Sequence, residues 1–94
     1  MLLRAYSIRD SKGEFYHPPF FKRTHGEAER DFMHLCKDEK SMTGQYTEDY
    51  DLYYLGTYDD QTGKIQATSS PEHMIKGVHA KQRHDPMTQN ENLT

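Results

Sequence analysis

Tryptophan is absent, and cysteine occurs once, at Cys36. A lone cysteine excludes an internal disulfide and fits a reducing compartment. No apolar run is long enough to span a membrane, and the opening MLLRAYSIRD holds no run of signal-peptide length. Apolar residues are scarce throughout: 33% of the chain is hydrophobic and mean hydropathy is -1.09. For 94 residues this allows one domain with a modest core. Such a composition implies either a disordered part or buried surface borrowed from a partner. The expectation is a soluble, intracellular protein with no membrane association.

Aromatics are present in number. Seven Tyr and four Phe make 12% of the chain, enough to exclude full disorder. They predict a core of rings with polar edges. Net charge is -3, too small to pull the whole chain toward nucleic acid. The charges are segregated, however. Residues 1–26 hold five bases and two acids, +5 - 2 = +3, and residues 27–60 hold three bases and ten acids, +3 - 10 = -7. This pattern suits a bipolar surface, or a self-complementary one in an oligomer.

Residues 2–9, LLRAYSIR, carry apolar groups on both alternating faces and predict a central strand, or one with a second covered face. Asp10-Ser11-Lys12-Gly13 has turn chemistry, with Gly13 expected at positive φ, and EFYH returns as a short second strand. Pro18-Pro19 ends that pairing. Phe20 and Phe21 follow, and at least one is expected to enter the core. Thr24-His25-Gly26-Glu27 is a capping box, with the Glu27 carboxylate reaching back to the Thr24 N–H. A helix should run from His25 to about Lys37–Lys40, burying Ala28, Phe32, Leu35 and Cys36 on one stripe. Residues 41–50 read as a loop. The stretch from Asp51 to Tyr58 predicts a strand with Leu52, Tyr54, Gly56 and Tyr58 on one face and Tyr53, Leu55 and Thr57 on the other. Asp59 to Gly63 is a hairpin loop, Lys64 to Ser69 the return strand, and Ser69-Ser70-Pro71 its end. A short helical turn fits within His73–Val78. Residues 79–94 have almost no apolar content and predict a disordered tail. The fold class is therefore α+β: an antiparallel sheet of about four strands, β-β-α-β-β, with one helix packed on one face, in a single domain over 1–78.

No catalytic constellation stands out. His34 and Cys36 lie about 200° apart around a helix and cannot chelate together, and His73, His79 and His84 lack the paired spacing of a zinc site. Cys36 falls on the apolar stripe, where it acts as a small hydrophobe rather than a nucleophile. There is no Gly-rich phosphate loop and no nucleophile elbow. The acids Glu48, Asp49, Asp51, Asp59 and Asp60 lie at strand ends, where they are solvated. The reading is non-enzymatic, without cofactor or metal. Arg4, Arg9, Lys12, Lys22 and Arg23 interleave with Tyr6, Tyr16, Phe20 and Phe21, and cations alternating with stacking rings suit single-stranded nucleic acid.

Four pieces in order resemble one family. They are Tyr6-Ser7-Ile8-Arg9-Asp10-Ser11-Lys12, Pro19-Phe20-Phe21, Thr24 with Ala28, Arg30 and Phe32, and Glu48-Asp49-Tyr50-Asp51-Leu52-Tyr53 continuing through Leu55-Gly56, Tyr58-Asp59-Asp60 and Thr62-Gly63. To about residue 75 the chain resembles the small nonstructural protein of gokushovirus-type microviruses, phages with single-stranded circular DNA. It departs at Thr47, where that family usually has proline. The resemblance implies a phage accessory protein, outside the capsid, working in the host cell cytoplasm on genome replication or packaging. It supplies no binding residue.

Together these readings predict a module that binds single-stranded or replicating phage DNA. Its site would be Arg4, Arg9, Lys12, Lys22 and Arg23, with Tyr6 and Tyr16 stacking. The alternative is a protein-interaction module that docks on a host or phage replication protein through the acidic hairpin. A homodimer is compatible with either.

Overall fold

A computed structural model describes residues 1–83. In chain order they form β1 (Leu2–Asp10), β2 (Phe15–Tyr16), β3 (Phe20–Lys22), α1 (His25–Lys37), α2 (Met42–Gln45), a single 3-10 turn (Thr47–Asp49), β4 (Tyr50–Asp59), β5 (Ile65–Lys76) and α3 (Gly77–Gln82). The protein is α+β, with a five-stranded antiparallel sheet and all three helices gathered on one side.

β1 is central, as its two-faced apolar pattern predicts. β4 pairs with one edge of it, β2 and β3 share the other, and β5 closes the far side of β4. Four consecutive residues of β1, Ala5 to Ile8, are buried. The turn after β1 is held by Asp10, whose carboxylate accepts from the backbone N–H of Lys12 at 2.9 Å and of Gly13 at 3.1 Å. The positive φ expected at Gly13 falls instead on Glu14, at 59°. Gly13 is small for another reason: a Cβ there would meet the Phe15 ring at 2.5 Å.

One irregularity decides which side chains share a face. β1 runs unbroken, but β4 holds an extra residue: Ala5 pairs with Gly56 and Tyr6 with Tyr54, leaving Leu55 unpaired. Because strand side chains alternate, one inserted residue reverses everything beyond it. Gly56 and Tyr58 therefore do not share a face with Leu52 and Tyr54, as strict alternation predicts. They join Tyr53 on the opposite side. A glycine is required at the bulge: Gly56 has φ 141°, and a Cβ would sit 2.2 Å from the carbonyl oxygen of Gln66.

α1 forms where the sequence places it. Thr24 caps it, its hydroxyl accepting from the Glu27 N–H at 3.1 Å. The Glu27 carboxylate reaches back one residue further than expected, to the Arg23 N–H at 3.1 Å. Ala28, Phe32, Met33 and Cys36 are buried against Tyr6, Ile8, Tyr50, Leu52, Ile75 and Ala80. Leu35, expected on this stripe, is exposed, and Met33 takes its place. Phe20 packs on the core while Phe21 stays 39% exposed, so one ring of the pair is enough.

The second half departs most from expectation. The segment 41–50 is not simply a loop: Ser41 caps α2 by accepting from Gly44 N–H at 2.9 Å, and the 3-10 turn leads into β4. β5 does not end at Ser69-Ser70-Pro71 but continues to Lys76 through two register shifts. The helix expected within His73–Val78 begins only at Gly77. It extends into the predicted tail, placing fully buried Ala80 in the core, with Arg83 bound to Glu29 at 2.7 Å. The tail expectation for residues 79–83 is thus corrected, because Ala80 contributes the apolar contact that this polar segment otherwise lacks. Residues 84–94 lie outside the described residues.

Candidate nucleic-acid interface

The sheet face opposite the helices has no layer over it among the described residues. Register assigns its occupants. Ser7 pairs with Tyr53, Arg9 with Asp51 and with Tyr16, and Tyr53 with His73. Paired residues project to the same side. The rings confirm the placement: Tyr16 meets Tyr53 edge-on at 5.3 Å, and Tyr53 meets His73 edge-on at 5.3 Å. The Arg9 guanidinium lies over the Tyr16 ring at 5.6 Å, a cation–π contact. Further along the same face, Phe21 and Tyr58 meet at 5.3 Å.

Beside the Tyr53 cluster is a cleft of about 380 Å³ lined by Arg9, Ser11, Tyr53 and Lys76 together with Glu48, Asp49 and Asp51. The acids are partly engaged within the fold. The Asp51 carboxylate shares a hydrogen bond with His73 Nε2 at 2.7 Å. Burial, with Tyr16 and Asp51 nearby, raises the Tyr53 hydroxyl above its ordinary range against the opposing pull of Arg9. It therefore stays protonated at neutral pH and is available as a donor.

The residues expected to form one basic, aromatic surface are not brought together. Arg9 and Tyr16 lie on the open face. Tyr6 does not: its ring is fully buried on the helix side, packed near Phe20, His25 and Tyr54, and its hydroxyl shares a 2.8 Å hydrogen bond with His25 Nδ1. Burial raises that hydroxyl above its ordinary range as well, with Arg4 opposing. The stacking role expected of Tyr6 is thus excluded, since no ring face is open to a base. Arg4 and Lys22 are register partners on the helix side, and Lys22 is bound to Asp31 at 2.6 Å. Lys12 is exposed in the turn after β1, and Arg23 is exposed just before α1. Alternation along β4 already separates Tyr53 from Leu52, so Tyr53 was open to detection. His73, Lys76 and Tyr58 were not, because their placement depends on the shifts in β4 and β5.

Cys36 is fully buried, and burial pushes its thiol up to about 11. It takes no part in this surface. Among the described residues no group of histidine, cysteine and carboxylate side chains is arranged to hold a metal ion. No described helix is long and apolar enough to cross a membrane.

A family model described as "Phage ORF5 protein" matches residues 3–80, from the second residue of β1 through α1 and the whole of β5. No curated protein and no solved structure matches the chain.

Proposed function

The chain belongs to the Phage ORF5 protein family, and from that premise we propose that it is a non-enzymatic accessory protein that binds single-stranded phage DNA on its open sheet face. One observation carries the proposal: the uncovered ring cluster of Tyr16, Tyr53 and His73, with Arg9 stacked on Tyr16. Single-strand binders combine stacking rings with cations along the backbone path. Arg9, Lys12 and Lys76 supply three cations at this end of the sheet, against the carboxylates of the cleft. Binding is therefore expected to be modest in affinity and to have a shallow salt dependence. For about three phosphates on a single strand, log K should fall with log salt at a slope of about -2. A single-stranded phage genome, as in the gokushovirus-type microviruses, and a role in its replication or packaging in the host cytoplasm are the finer form of this proposal.

Docking on a replication protein through the acidic hairpin has less support. Asp60 holds the N-terminal ammonium of Met1, and Asp59 accepts from the backbone of Gln61 at 2.9 Å, which keeps its carboxyl below the usual range. Asp59 is thus engaged within its own loop, and Asp60 by the residue that precedes β1.

The test is fluorescence anisotropy of labelled single- and double-stranded oligonucleotides across a salt series. Preference for the single strand, with weakening on Arg9→Ala and Tyr16→Ala but not on Tyr6→Phe, supports the proposal. No binding at low salt overturns it.

A further inference from the structure

Beyond the Arg9 end, the open face changes character. Leu3 pairs with Tyr58 and Tyr58 with Ile65, so these three form one row across β1, β4 and β5. The next row is Phe21, Ala5, Gly56 and Ala67, by the same register. None of these seven positions is charged, in a chain where 29% of residues are. Ile65 is 70% exposed and Phe21 39%. A chain so poor in apolar residues has placed several of them in one uncovered patch. Gathered on one face, Ile65, Phe21, Leu3 and Tyr58 supply the apolar part of a contact surface.

The sheet edges make poor docking sites by comparison. The β5 edge carries Pro71, which has no N–H to donate, and Pro18-Pro19 interrupt the edge formed by β2 and β3. Prolines at edges block pairing with another strand. A partner is left with the face.

We infer that a second copy of this chain packs face to face on this sheet. Area separates the small patch from the whole face. Three strands at about 4.8 Å and some five residues at about 3.4 Å give the uncharged patch a projected area of only about 240 Å². The whole open face, four strands by nine residues, projects to about 590 Å², and its accessible surface is larger because side chains corrugate it. A specific interface takes about 800 Å² per partner. The patch alone is too small, while the full face of a second copy approaches what is needed. The sheets would pack about 10 Å apart, as in a β-sandwich, with each uncharged end part of an isologous contact. Such a contact also covers Tyr16 and Tyr53. Self-association and the DNA binding proposed above would therefore compete for one surface. The dimer inference itself does not depend on DNA binding.

Sedimentation velocity on the nuclease-treated full chain, up to about 0.5 mM so that a Kd of that order is visible, tests the inference. The expected result is a species of twice the 11.1 kDa chain mass whose fraction rises with concentration. It should be lost in Ile65→Lys and Tyr58→Lys, with circular dichroism and melting temperature retained. Ile65 is exposed enough that its substitution leaves the fold intact, so that variant decides the matter if Tyr58→Lys fails to fold. A monomer throughout the range overturns the inference. So does a dimer that persists in Ile65→Lys, or a higher mass that disappears on nuclease treatment. Addition of a single-stranded oligonucleotide is a separate arm. Conversion of dimer to a monomer–oligonucleotide complex supports competition. A dimer that remains while the oligonucleotide binds overturns competition for one surface, and no binding at all returns the question to the DNA proposal without touching the dimer.

Discussion

Tyr6 and Tyr16 lie on adjacent strands, yet one faces the helices and the other solvent. The Tyr6 hydroxyl is buried with His25 as its partner. Tyr6→Phe removes that hydrogen bond while keeping the ring, and should cost about 1 kcal/mol in urea denaturation. Tyr16 is 41% exposed. Tyr16→Ala should leave stability nearly unchanged and weaken single-strand binding by about 1–3 kcal/mol, the worth of one stacked base. Reversal of these two outcomes would place the stacking surface on the wrong side of the sheet. Cys36 gives a pH-dependent measurement. Its thiol is held above the ordinary 9.0, at about 11, because burial disfavours the thiolate. The native state therefore keeps the proton more tightly than the unfolded chain. Stability from this group is complete below pH 9 and declines as pH rises toward 11. Urea midpoints taken across that window should fall more steeply for the natural chain than for Cys36→Ala. Equal slopes would show that another group governs the alkaline limit.

Two glycines distinguish local from tertiary demands within the β4–β5 hairpin. Gly63 has φ 76° in the loop, and a Cβ added there would meet nothing within 4 Å. Gly63→Ala should cost only the left-handed penalty, about 1–2 kcal/mol. Gly56 also has positive φ, and a Cβ would strike the backbone of β5. Gly56→Ala should cost about 3 kcal/mol or more, since strain and a rigid clash add. Thermal melts of the two variants side by side check the contrast, and a similar small loss in both would mean that the bulge relaxes. At α1, Thr24→Ala removes the cap and should destabilise by about 1 kcal/mol, read from the shift in urea midpoint.

For the whole molecule, the boundary of the folded unit is the sharpest question. A domain ending at residue 78 would omit Ala80, which is fully buried. It would also omit Lys81, which donates to the Gly44 carbonyl at 3.2 Å, and Arg83, which pairs with Glu29. A chain truncated after Val78 should melt well below the full chain, because α1 loses its covering helix. An unchanged melting temperature would show α3 to be dispensable. Burial is also uneven along the sheet: Ala5 to Ile8 of β1 are buried, while residues 65–72 of β5 are exposed almost throughout. Hydrogen exchange should be slowest at Tyr6, Ser7 and Leu52.

The sequence by itself determined the elements whose signals are local: the Thr24 cap and α1, the loop with Gly63 at positive φ, the central character of β1, and the α+β class. Each depends on neighbours within a few residues, so spacing and turn chemistry suffice to read it. Tertiary structure decided what depends on pairing partners far along the chain. The inserted Leu55 moved Tyr58 to the open face, register shifts carried β5 on to Lys76, and Ala80 drew a polar segment into the core. The candidate site divides in the same way. Arg9 and Tyr16 were legible because they pair across a tight hairpin. Tyr6 was misplaced because a ring beside cations in sequence can equally face a helix, and only packing chooses between the two sides of a strand.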